Sequence, residues 1–181
     1  MHLLHAFFVF ILLSFTRGAV LPVRSITAAQ LVADINVVTK ESSTLQGIIS
    51  TVSASMTATM FQTVLTETSE GFQDILNGID SCTTAMGGTA AFDDTDAVTI
   101  GTALKQNLAA QELLLTTLIS QESVFAKFGT TAPIAAALSS VQGNLRTFVQ
   151  VLINLIPTQA ADVQAGLLAL EAVLTRAIGV Y

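Results

Sequence analysis

Residues 134–155, IAAALSSVQGNLRTFVQVLINL, contain the pattern that decides the fold. Their large apolar residues recur at spacings of four and three, and they are Ile134, Leu138, Val141, Leu145, Phe148, Leu152 and Leu155. Because an α-helix has about 3.6 residues per turn, this spacing places the whole set along one stripe of a helix. The stretch therefore predicts a long helix that packs this stripe against other helices.

Four other segments of the chain repeat the same spacing. Their stripes run from Leu31 to Met56, from Phe61 to Met86, from Leu104 to Phe125 and from Val163 to Tyr181. Short turns near residues 56, 130 and 156 favour antiparallel neighbours, and residues 87–96 form a longer connection. No segment alternates apolar and polar residues as a strand does. We therefore predict an all-α protein, an antiparallel bundle of about five long amphipathic helices.

Residues at the predicted helix ends agree with these boundaries. Thr27 with Gln30, and Thr59 with Gln62, have the spacing of capping boxes, in which two side chains bond the free backbone groups of a first turn. Gly129 is a plausible residue to follow the end of the third helix, because glycine accepts the left-handed backbone that often terminates helices.

The N-terminus has the layout of a secretory signal peptide. An apolar run over residues 6–13 is followed by the small residues Gly18 and Ala19. A membrane-spanning helix needs about 20 apolar residues, so this run is too short to be one. We expect residues 1–19 to be a cleaved signal peptide, residues 20–181 to form one helical domain, and the mature protein to be secreted.

Removal of this segment leaves little reactive chemistry. His2 and His5 are the only histidines, and both precede the expected cleavage site. Without imidazole, neither a Ser-His-Asp or Cys-His arrangement nor a histidine metal site is available. The acidic cluster Asp93, Asp94 and Asp96 lacks the closing glutamate of a calcium loop, so a helix cap is the expected role. We predict no enzymatic activity, no catalytic residue, no metal site and no cofactor.

The charge balance argues against nucleic acid as a partner. Seven basic residues stand against thirteen acidic ones, for a net charge of −6. Binding to a phosphate backbone requires a basic surface, which this composition does not provide. The later apolar segments are rich in Ser, Thr and Gln or are interrupted by Asp162, Glu171 and Arg176, so we expect no integral membrane span.

Two sets of residues are candidates for a ligand site between the helices. Ser42, Thr68 and Gln111 are polar members of apolar stripes, where they either fix the register of the helices or bond the head group of a ligand. Apolar residues of the stripes serve equally as core or as a cavity wall, because binding pockets are mostly apolar. The candidate wall consists of Phe61, Leu65, Phe72, Leu115, Leu118, Phe148 and Leu152.

Two further stripe residues bear on that site. Glu122 also interrupts the third stripe, but its negative charge would repel a carboxylate ligand. Cys82 is the only cysteine, and it is expected to be either a buried thiol or one half of a disulfide between two chains.

The chain resembles the hydrophobic surface binding protein A family, fungal secreted proteins related to the cell-wall galactomannoproteins. The resemblance covers about residues 25–181 and rests on FAKFG at 125–129, the apolar positions from Leu138 to Leu152 with Pro157, AIGVY at 177–181, and Ala33-Asp34-Ile35. It implies an exported helical bundle that adsorbs to hydrophobic surfaces, and some members enclose fatty acids in a central cavity. The chain departs from wall-bound relatives in having no Ser/Thr-rich stalk, no anchor signal and no N-glycosylation sequon.

The residues and the resemblance together lead to one expected function and one alternative. We expect a secreted, non-enzymatic protein that binds hydrophobic surfaces or long-chain lipids such as fatty acids, through apolar helix faces or a cavity. The alternative is a structural cell-wall mannoprotein without a specific ligand. Expected partners are hydrophobic surfaces or lipids, and also secreted hydrolases or the cell wall, but not nucleic acid.

Overall fold

The computed structural model describes residues 25–181, so the predicted signal peptide over residues 1–19 lies outside the described residues. In chain order the helices are α1 (Ala28–Ser50), α2 (Ala58–Met86), α3 (Asp94–Ser120), the short α4 (Glu122–Lys127), α5 (Thr131–Leu155) and α6 (Ala160–Val180), with a 3-10 turn at Pro157–Gln159. The described part of the chain contains no strand. The prediction of an all-α bundle with five long helices is confirmed.

The five long helices close into a ring. Each packs mainly against two others, in the order α1, α2, α5, α6, α3 and back to α1. Helix α3 runs parallel to α1, since Asn107 bonds Thr39 and Thr117 bonds Gln46 further along both helices. It also runs parallel to α6, since Lys105 pairs with Asp162 and the Leu118 carbonyl accepts from Tyr181 further along the chain in both segments. Successive long helices still alternate in direction along the chain, but the ring places α3 between two parallel neighbours, which chain order did not indicate.

Helices α2 and α3 follow one another in the chain but are not neighbours in the ring. The connection between them therefore crosses one end of the bundle, as the longer predicted linker suggested. The backbone N–H of Phe92 donates to the carbonyl of Leu155 (2.8 Å), and the N–H of Ile26 donates to Thr89 Oγ1 (3.1 Å). These bonds attach the connection to the start of α1 and the end of α5.

Local hydrogen bonds explain where the first two helices begin. Thr27 and Gln30 form the predicted capping box, in which Thr27 Oγ1 accepts from the Gln30 N–H (3.2 Å) and Gln30 Oε1 accepts from the Thr27 N–H (3.1 Å). The second predicted box, Thr59 with Gln62, is wrong. Helix α2 begins two residues earlier, with Thr57 Oγ1 accepting from the Met60 N–H (3.3 Å).

Helix α1 also ends earlier than its predicted stripe, which extended to Met56. The hydroxyls of Ser50 and Thr51 donate to the carbonyls of Gly47 and Ile48 at 2.7 Å each. Such side-chain bonds compete with helix continuation. Val52 remains buried, so the chain still contributes to the core after the helix has stopped.

The predicted third helix is divided in two at Gln121, which separates α3 from α4. The end of α4 has the predicted glycine terminator. Gly129 has φ +69°, its N–H donates to the Ala126 carbonyl (3.0 Å), and the Thr130 N–H donates to the Phe125 carbonyl (3.1 Å). These two bonds form a Schellman motif, and the resulting turn leads the chain into α5.

Two glycines allow α1 and α2 to pack closely. A Cβ atom at Gly71 would lie 2.9 Å from Leu45 Cδ1, and one at Gly78 would lie 2.7 Å from Val38 Cγ2. Both distances are shorter than normal contacts between carbon atoms. The second contact fixes the position of Val38, which belongs to the cavity described next.

Candidate functional site

A cavity lies between four of the five long helices. Its lining residues come from α1, α2, α3 and α5, and they are Ile35, Val38, Ile79, Cys82, Asn107, Leu145 and Phe148. The space between these side chains that is open to the centre of a water molecule measures about 10 Å³. That is room for about one water molecule. A long acyl chain would therefore enter only if the helices moved apart.

The polar side chain in the cavity wall is the amide of Asn107. Its Nδ2 donates to Thr39 Oγ1 (3.1 Å), and its Oδ1 accepts from Gln111 Nε2 (3.2 Å). Thr39 Oγ1 in turn donates to the carbonyl of Ile35 (2.9 Å). These bonds use one of the two amide N–H groups and one of the two carbonyl lone pairs of Asn107. The amide can therefore both donate to and accept from a polar group in the cavity.

The Cys82 thiol in the cavity wall is buried and unreactive near neutral pH. Burial raises its pKa to about 12, and the negative charge of Asp34 acts in the same direction. The thiol is therefore protonated near neutral pH, whereas the thiolate is the reactive form. Of the two interpretations of this cysteine, the structure favours a buried thiol over a disulfide between chains.

The structure places one of the seven predicted wall residues, Phe148, at this cavity. Leu65 is only half-buried, and its neighbour Val64 is buried instead, because a helix of about 3.6 residues per turn drifts away from a strict heptad stripe. The other predicted wall residues lie in the closed core, and they are Phe61, Phe72, Leu115, Leu118 and Leu152.

The three predicted polar residues are all buried, but their surroundings differ. Ser42 Oγ donates to the carbonyl of Val38 (2.8 Å) within α1. Gln111 is one hydrogen bond removed from the cavity, through Asn107. The Thr68 hydroxyl has no hydrogen-bond partner among residues 25–181. Ser42 is therefore satisfied, Gln111 supports the cavity wall, and Thr68 is an unpartnered buried polar group.

Sequence reasoning missed Asn107. It lies beside the predicted stripe of α3, and it precedes Gln111 by four residues, a spacing that brings two side chains together on a helix. That spacing was the available signal. Helix α3 buries residues beside its stripe, among them Ala103, Asn107 and Leu114, and a single heptad register does not show this wider face.

The two segments that carried the family resemblance meet at one end of the bundle. Phe61 stacks on Phe128 with ring centroids 3.9 Å apart and contacts Phe125 edge-on at 5.6 Å. Phe125 contacts Tyr181 edge-on at 6.0 Å. The Tyr181 hydroxyl donates to the carbonyl of Leu118 (2.7 Å), and burial raises its pKa. This aromatic cluster closes the end of the ring opposite to the α2–α3 connection.

The fold is similar to that of a solved structure, AfMP4p in complex with palmitic acid. The two agree with a TM-score of 0.78 over 85 % of this chain and 99 % of AfMP4p, at 16 % sequence identity. No family model matches the sequence. No curated protein matches it either. The similarity supports a fold related to the one that the resemblance implied, and the specific family stays a prediction. The chain thus has the fold of AfMP4p, a relationship visible in the structures although few residues are identical.

Proposed function

We propose that this protein binds a long-chain fatty acid or a related acyl lipid between its helices. The observation that carries the proposal is the fold it shares, over nearly all of AfMP4p, with a structure that contains palmitic acid. The position of the cavity supports it, because four helices of the ring contribute to its wall and six of its seven lining side chains are apolar or a thiol. Ligand sites between the helices of bundles are common.

The energetics permit such binding but require the ring to expand. Each buried CH₂ contributes about 0.8 kcal/mol, so about fifteen of them contribute roughly 12 kcal/mol. Association costs roughly 4 to 15 kcal/mol, to which the cost of separating packed helices is added. The affinity therefore depends on how easily the closed core opens, and chain length should strongly affect it.

A titration with saturated fatty acids of increasing length tests the proposal, with native mass spectrometry to count bound molecules. We expect saturable one-to-one binding whose affinity rises with length to an optimum. Cys82→Leu, which fills part of the void, should weaken binding, whereas Cys82→Ala, which enlarges it, should not. Circular dichroism shows whether both variants are folded. The absence of saturable binding at every length would overturn the proposal.

A second function, adsorption to hydrophobic surfaces, is favoured by the exposed side of α6. Among residues 25–181, the segment Pro157–Val180 is long and apolar enough to cross a membrane, judged by length and composition only. In the structure it packs against α3 and α5, yet only 22 % of its most apolar window is buried. Leu168 is 65 % exposed on this outer side.

Adsorption to polystyrene beads tests this second function. We expect less Leu168→Glu than wild-type protein to adsorb. The control is Val98→Glu on α3, where Val98 is 52 % exposed. Equal uptake by both variants would contradict this second function.

Secretion and the lack of enzymatic activity belong to the same proposal. Secretion rests on the signal-like sequence of residues 1–19. The lack of enzymatic activity rests on the two histidines, which lie in the same segment and would be removed with it. N-terminal sequencing of protein recovered from the medium should start near residues 19–25, and retention of Met1 would overturn the predicted cleavage.

A further inference from the structure

The interior of this bundle contains polar groups but no charged ones. The buried polar residues within the described part of the chain are Ser42, Thr68, Asn107, Gln111 and Thr130. Every one is an alcohol or an amide. A head group seated among these buried residues would therefore meet only neutral donors and acceptors.

We propose that the site binds acyl lipids with an uncharged head group, such as a fatty alcohol, an ester or a protonated fatty acid, and excludes the carboxylate anion. This inference rests on the function proposed above and specifies the chemical form of the ligand. Asn107 supplies the recognition in the cavity wall, since its free N–H and lone pair suit a hydroxyl, a carbonyl or a carboxylic acid group.

The charged residues around the cavity do not supply a cation for an anionic head group. On the four helices that line it, the charged side chains nearest in sequence to the lining residues are Asp34, Lys40 and Glu41 on α1, Asp74 and Asp80 on α2, Lys105 and Glu112 on α3, and Arg146 on α5. All are exposed or half-exposed, and none lines the cavity. The titratable group that does line it is the Cys82 thiol.

The basic residues on these helices have partners at the surface or lie in solvent. Lys105 pairs with Asp162 (2.8 Å), and Arg146 pairs with Glu171. Lys40 is exposed. The negative charge of Asp34 acts on the Cys82 thiol in the cavity wall, in the direction that raises the pKa of that thiol. An anion inside the cavity would thus have no cation beside it and would also be repelled by Asp34.

Burial of a carboxylate without a cation is so unfavourable that such groups usually take up a proton instead. If only the neutral acid binds, its apparent affinity falls about tenfold for each pH unit above the pKa of the free acid, which lies near 4.3 for a carboxyl on an alkyl chain. A fatty alcohol has no such proton, so its affinity should depend on pH only through changes in the protein itself.

The experiment compares dodecanoic acid and 1-dodecanol on the folded secreted protein at about pH 5 and about pH 8. We expect the ratio of the alcohol affinity to the acid affinity to rise on the order of several hundredfold between these values, because the acid loses about tenfold for each pH unit. Because both probes have the same chain, the ratio removes any effect of pH on the helices. An unchanged ratio with tight binding of the anion at the higher pH would overturn the inference and leave the proposed function intact. If neither probe binds at either pH, the proposed function fails, and the inference fails with it.

A variant provides a second measurement. Asn107→Lys places a cation in the cavity wall and should flatten the pH dependence of acid binding without affecting the alcohol in the same way. Gln111→Lys is the alternative if Asn107→Lys does not fold, as judged by circular dichroism. An unaltered pH dependence in a folded variant would count against the inference, because the missing cation is its physical basis.

Discussion

Gln111 donates a hydrogen bond to Asn107 one helical turn away, with 3.2 Å between Nε2 and Oδ1, inside a core that is otherwise mostly apolar. The two amides therefore depend on each other. Removal of Asn107 leaves the amide of Gln111 buried without its partner, which costs about 1–3 kcal/mol, whereas replacement of both by apolar groups is nearly neutral.

The first prediction is a double-mutant cycle on this pair. We expect Asn107→Leu to lower the free energy of unfolding by about 1–3 kcal/mol, and Asn107→Leu with Gln111→Leu to recover most of the loss. Urea unfolding measures both. If the single variant is as stable as the wild type, the hydrogen bond does not contribute as the structure indicates.

The second prediction concerns the unpartnered hydroxyl of Thr68. Thr68→Val keeps the shape of the side chain and removes the hydroxyl, so we expect the unfolding free energy to rise by about 1–3 kcal/mol. Ser42→Ala is the control, because Ser42 Oγ already donates to the Val38 carbonyl and its removal brings no such gain. A loss of stability in Thr68→Val would mean that the hydroxyl has a partner in solution.

The third prediction contrasts two glycines in helices. Gly143→Ala should raise the unfolding free energy by about 0.5–1 kcal/mol, since alanine favours helix and no atom lies within 4 Å of the added carbon. Gly78→Ala should lower it by about 1–3 kcal/mol, because the added carbon would clash with the branched side chain of Val38. Equal effects of the two substitutions would show that α1 and α2 are further apart than described.

The fourth prediction concerns alkaline pH. The pKa of the Cys82 thiol rises from 9.0 to about 12 in the folded protein. Its contribution to stability is complete below pH 9.0 and is lost as the pH rises towards 12, because the unfolded thiol ionises first. Tyr181, whose pKa is also raised, adds to this loss. Unfolding midpoints should therefore fall above pH 9.0, and less steeply in Cys82→Ala. An identical pH profile for the variant would contradict the burial of the thiol.

The sequence predicted the helices well wherever one apolar stripe faces one core. All seven stripe residues of α5 are buried, from Ile134 to Leu155, because α5 meets its neighbours along a single face. The pattern failed at the end of α1, where the hydroxyls of Ser50 and Thr51 bond the last carbonyls. Hydrogen bonds from side-chain hydroxyls to backbone carbonyls can end a helix, and the spacing of the apolar residues does not show them.

The candidate site was harder to predict than the helices. Of its seven lining residues, Phe148 alone was named as part of a ligand site beforehand. Asn107 was missed because it lies beside the apolar stripe of α3. Whether that part of the helix is covered depends on the order of the helices in the ring. That order depends on contacts between segments far apart in the chain, which periodicity within one segment does not contain.

Helix α6 is the element that joins α3 to α5 in the ring, whereas α1 and α2 pack together as successive helices. Helix α6 packs on α3 at Gly166, where an added Cβ would lie 2.7 Å from Leu108 Cδ1, and these two residues are more than fifty positions apart in the chain. Such a contact closes a long loop, and the packing of α6 must offset the chain entropy that this closure costs. Without α6, α3 and α5 would each have an uncovered apolar side, and the interior would be open along one edge of the ring. Helix α6 is thus the element that completes the enclosure.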